Sequence, residues 1–109
     1  MLQSNEIQKR FSHIKQTISE ASRSCQSAQS SVPQDLKTCV EELNKQCQSA
    51  QSVMKSHDET QMRECIDQME EIGDRAERAC QKAGNVDGNL KRAVSTMHSE
   101  LSDLKRQLH

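Results

Sequence analysis

Five cysteines stand in a chain of 109 residues. Three of them open copies of one motif: CQSAQS at 25–30, CQSAQS again at 47–52, and CQKAGN at 80–85. A thiol can be a nucleophile, half of a redox couple or a soft-metal ligand, so spacing has to decide among these chemistries. The spacing offers three readings. In the first, the thiols are inert small hydrophobes, since free cysteine is among the most buried residue types. In the second, Cys25–Cys39 and Cys47–Cys65 form thiol pairs or disulfides between helices. In the third, Cys25, Cys39 and Cys80 converge at one end of the molecule as soft-metal ligands for zinc or Cu(I). No CxxC occurs, and no fourth ligand stands at a telling distance. The leading expectation is therefore packing, with no metal and no cofactor.

Other reactive side chains are less suggestive. His13 and His98 lie one position off the apolar pattern, His57 falls in a capping sequence, and His109 is the last residue. All four are expected at the solvated surface. Met54, Met62, Met69 and Met97 keep the apolar phase and read as core filler. The acid pairs Glu41–Glu42 and Glu70–Glu71 are expected to face water. The chain contains no Gly-rich phosphate loop, no nucleophile elbow and no HExxH. No catalytic residue and no small-molecule substrate is assigned.

The elements that must position these residues are helices. Apolar residues recur every three or four positions: Ile7, Phe11, Ile14, Ile18, Ala21 and Cys25, and later Leu90, Val94, Met97, Leu101, Leu104 and Leu108. The spacing predicts helices over 5–30, 33–54, 58–83 and 88–107, in a single domain spanning 1–109. The stripes are narrow, close to a coiled-coil seam. The breaks carry capping chemistry: SVPQ at 31–34, SHDE at 56–59, Gly84 as a left-handed terminator, and Asn85 or Asp87 before the last helix. Short connections make consecutive helices antiparallel. The predicted fold is all-α, an up-down-up-down four-helix bundle; the alternative is a pair of long hairpins that complete a core by dimerising.

Antiparallel neighbours face each other at a constant index sum. A sum of 64 sets Ala21 against Leu43 and Cys25 against Cys39. A sum of 112 sets Cys47 against Cys65 and Gly73 against Cys39. A sum of 173 sets Ala79 against Val94 and Ala76 against Met97. Small against large is what interdigitated layers need. The repeated motif then reads as a helix-closing unit, with Cys and Ala on the buried stripe. The openings LKTCVEEL (36–43), MRECIDQM (62–69) and LKRAVSTM (90–97) repeat as well, which suggests an internal helix repeat.

Composition narrows the function. Fifteen basic and 16 acidic residues give a net charge of −1, and 32% of residues are hydrophobic. Nucleic acid and anionic membranes call for a strongly basic face, so neither is an expected partner. No segment approaches the roughly 20 apolar residues of a membrane span. The first residues show no signal peptide, which with Met1 as the native start gives a cytoplasmic expectation; a chain that had lost a leader would read the same. The expected function is that of a non-enzymatic bundle with a structural or protein-interaction role, acting as a homodimer or with another protein. The alternative is a cysteine-based module that binds a soft metal or responds to redox state.

Overall fold

The computed structural model describes residues 4–27, 32–56, 58–84 and 86–108. They form four helices: α1 (Ser4–Ser27), α2 (Gln34–Ser56), α3 (Glu59–Ala83) and α4 (Gly88–Leu108). Each helix packs on its sequence neighbours, and α1 closes the ring by packing on α4. This is the four-helix bundle expected from the periodicity. The long axis is 40 Å, which helices of 21 to 25 residues fill end to end at ~1.5 Å per residue.

The core follows the sequence pattern closely. The apolar stripes of all four helices meet in one cluster, and Ile18, Ala21, Leu36, Leu43, Met62, Ile66, Met69, Met97 and Leu101 are fully enclosed. On α3, Ile72 and Gly73 are both buried. Thr17 is also buried, and its hydroxyl donates to the Ile14 carbonyl at 2.7 Å, so the polar group is satisfied locally.

Helix ends follow the expected chemistry with one correction. Gly84 terminates α3 at φ 70, where its N–H reaches the Cys80 carbonyl. Asp87 caps α4, accepting from Leu90 N at 3.4 Å. The box expected at 56–59 is not used: Asp58, not Ser56, caps α3, accepting from Thr60 N and Gln61 N. The Ser56 hydroxyl instead accepts from Asp58 N and donates to the Val53 carbonyl, finishing α2. Asp58 stands two residues nearer the first turn than Ser56, and its carboxylate reaches the N2 and N3 amides from there. The expectations at Ala28, Ser31, His57, Asn85 and His109 lie outside the described residues.

In-helix ion pairs form less often than i,i+4 spacing suggests. Asp74–Arg78 closes at 2.8 Å. Arg10 and Arg75 reach across seams to Asp103 and Glu42.

Candidate functional site

Two sets of groups could carry chemistry. The first is the cysteines. All five are free thiols, Cys65 half-buried and the others buried. The expected pairs Cys25–Cys39 and Cys47–Cys65 thus have all four thiols free. Their surroundings differ. Cys25 senses Lys37 and Glu41 of α2. Cys39 turns toward α3, where it senses Arg75 and lines a cleft with Ala79. Cys47 senses Lys15 of α1, and Cys65 senses Glu64 on its own helix. Cys80 is held at about 11, first by burial and then by the neighbouring Cys25 thiol. The closing motifs of the parallel helices α1 and α3 therefore place Cys25 and Cys80 within electrostatic reach of each other in the core. Burial raises every one of these thiols, which keeps them protonated and poorly nucleophilic near neutral pH. Among the described residues, no group of three or more His, Cys, Asp or Glu side chains is arranged to hold a metal ion.

The second set is an ionic hub on the α3–α4 seam, centred on His98. Its Nδ1 lies 2.7 Å from Glu77 Oε2, and its Nε2 lies 3.1 Å from Glu70 Oε2 and 3.6 Å from Asp74 Oδ1. Lys105 Nζ sits 3.2 Å from Glu70 Oε1, and the Ser102 hydroxyl donates to Glu70 Oε2 at 3.5 Å. Only the imidazolium carries two N–H donors, so bonding to two carboxylates selects the charged form. Burial pushes the His98 pKa down, but the hydrogen bonds to Glu77 and Glu70 and their charges outweigh it, and the net direction is up. For Glu70, burial pushes up, while Lys105 and His98 pull harder, and the net direction is down. The two shifts agree on a charged His98–Glu70 pair.

The hub corrects three expectations. His98 is not a solvated surface residue: its side chain is 18% exposed, and Glu70, expected to face water, is 16% exposed. Gly73 does not face Cys39; a Cβ there would meet Leu101 Cδ1 at 3.4 Å and His98 Cδ2 at 3.6 Å on α4. These are ordinary van der Waals distances, so the His98 ring packs directly over this point of α3. The signal was present in the sequence. Glu70, Asp74 and Glu77 share one face of α3, as do His98, Ser102 and Lys105 on α4. Glu77–His98 and Glu70–Lys105 both have the index sum 175, close to the 173 that set the apolar layers. Applying that sum only to apolar residues is what hid the hub.

The remaining seams are lighter. His13, 64% exposed, pairs with Glu100 at 2.9 Å across α1–α4, beside Arg10–Asp103 at 3.3 Å. Glu100 Oε2 is buried with no hydrogen-bond partner among the described residues. Arg75–Glu42 spans α2–α3 at 3.4 Å, and the Gln8 side chain donates to the Met54 carbonyl across α1–α2. The clefts between helices hold about 300 to 470 Å³ and open to solvent along the seams. No described helix is long and apolar enough to cross a membrane. No protein-family model, no curated protein and no solved structure matches this chain.

Proposed function

We propose that the chain is a non-enzymatic helical bundle with a structural or protein-interaction role in the cytoplasm, working with a second copy or another protein. One observation carries this reading. The densest gathering of titratable groups, around His98, is directed at other side chains of the chain itself, where it ties α4 to α3. Catalytic groups are instead aimed into a space that a substrate can enter. A core filled by the apolar stripes supports the same view, since a scaffold needs a stable outer surface rather than an inner cavity.

A second reading is favoured by the two buried thiols Cys25 and Cys80, which lie within electrostatic reach of each other. Two buried thiols at one core end suit a soft cation or a redox response. Native mass spectrometry of the purified protein separates the two. The scaffold reading expects the mass of the bare chain, or of its dimer, with all thiols reduced. A stoichiometric metal or cofactor, or the loss of two hydrogen masses per disulfide, would overturn it in favour of the thiol reading.

A further inference from the structure

The α1–α4 seam is neutralised at one end and not at the other. At the end holding the α1 N-terminus, Arg10 and His13 meet Asp103 and Glu100. At the opposite end, Arg23 of α1 and Arg92 of α4 line one cleft of about 440 Å³ with Ser24, Asn89 and Thr96. Both arginines are exposed, and neither has an ion-pair partner among the described residues. Among the described residues, Glu20 is the one acid lining the cleft. Like charges facing each other across a groove do nothing for the fold, and two guanidinium forks with hydroxyl and amide neighbours form a receptor for carboxylates. The wider distribution points the same way. α1 and α4 each carry four Lys or Arg against two Asp or Glu, whereas α3 carries seven acids against four cations.

We infer that the Arg23–Arg92 cleft docks an acidic segment of a partner protein. The inference rests on the protein-interaction reading above and supplies the partner's chemistry. Nucleic acid is the poorer fit: a backbone track needs cations along a face and bases need exposed aromatic platforms, but the sole aromatic, Phe11, is buried. A lipid surface is poorer too, because insertion needs exposed apolar side chains and the apolar stripe of α1 faces the core. A carboxylate-bearing peptide needs only the two forks and the groove between them.

The test is fluorescence anisotropy with fluorescein-labelled octaglutamate on the intact chain, at low and moderate salt. The wild type should bind saturably and weaken as salt rises. Arg23→Gln and Arg92→Gln should each weaken binding by about tenfold, and Lys55→Gln, with the same change in net charge on α2, by no more than about twofold. Both arginine variants should melt at or above the wild-type temperature, because each removes like-charge repulsion. Equal losses in all three variants, no saturable binding, or tighter binding to phosphatidylserine vesicles or to oligo(dT) would each overturn the inference. None of these outcomes changes the masses by which the scaffold reading is judged.

Discussion

The two seams flanking α4 are built from similar residues and do different work. On the α3 side, His98 lies over Gly73 between Glu70 and Glu77, largely out of water. On the α1 side, His13 meets Glu100 at nearly the same distance but stands in solvent. A histidine–carboxylate contact of about 3 Å is thus found twice, and burial separates the two. In high dielectric such a pair contributes little. With two carboxylates and little water, the same ring becomes a fixed imidazolium that sets the register between two helices. The difference teaches that position relative to the helix backbone, more than residue type, decides whether a polar seam residue organises the fold.

The largest effect that would break this comparison lies beneath the hub. Leu101 is fully buried beside Gly73, and Leu101→Ala should destabilise by about 2–5 kcal/mol in chemical denaturation, through the lost methyl groups and the cavity left behind. Next comes the hub itself. His98→Ala removes two charge-assisted hydrogen bonds and leaves Glu70 and Glu77 less compensated, so it should cost about 2 kcal/mol. His13→Ala should cost well under about 1 kcal/mol. Equal effects of the two histidine variants would erase the distinction between the seams. Gly84→Ala places a Cβ on a left-handed residue and should cost about 1–2 kcal/mol, although nothing crowds the site. The smallest effect has the opposite sign. At Gly73 the built Cβ makes ordinary contact at 3.4 Å, so Gly73→Ala should stabilise by up to about 1 kcal/mol through helix propensity. A bulkier Gly73→Val would displace His98 and should cancel that gain.

The thiols give a further contrast, readable by alkylation. Cys65 is half-buried and the other four are buried, so iodoacetamide should modify Cys65 first in the folded protein. Because burial raises the thiols from their ordinary 9.0, and Cys80 to about 11, the fold keeps them protonated after the unfolded chain has begun to ionise. Their contribution to stability is fully present below pH 9 and fades above it, so alkaline unfolding should begin there.

Much of this was legible in the sequence, and the reason is physical. Apolar spacing fixed the four helices because a stripe has to be buried whichever partner covers it. Gly84 and Asp87 marked helix ends because backbone N–H and C=O groups there need local partners. The cap at Asp58 was misplaced by two residues because Ser56, His57, Asp58 and Glu59 contain two competing acceptors, and only geometry separates them. Gly73 was assigned to the wrong neighbour. An added Cβ there would meet Leu101 and His98 of α4, and index sums do not resolve helix rotation. The His98 hub was missed for a related reason. One position off the stripe looks like solvent in a helical projection, yet it is where a seam between two helices closes over long side chains. The placement of Cys25 and Cys80 at one end was legible, because up-down topology carries the closing motifs of α1 and α3 to the same end of the bundle.

The pH dependence of the hub offers the most direct check. His98 is raised above its ordinary 6.5, so its contribution is fully present below that pH and is lost as pH rises through the folded value. Glu70 is lowered from 4.5, so its contribution is present above that pH and is lost as pH falls through the folded value. The stability difference between wild type and His98→Gln should therefore be greatest between these two ordinary values and shrink on either side. NMR titration of the His98 ring in the folded protein tests the claim at its source. A midpoint above 6.5 that returns toward 6.5 when Glu70 and Glu77 are both replaced by Gln is the expected result. A midpoint at or below 6.5 in the wild type would mean that burial outweighs the carboxylates, and that the α3–α4 seam is held by its apolar contacts alone.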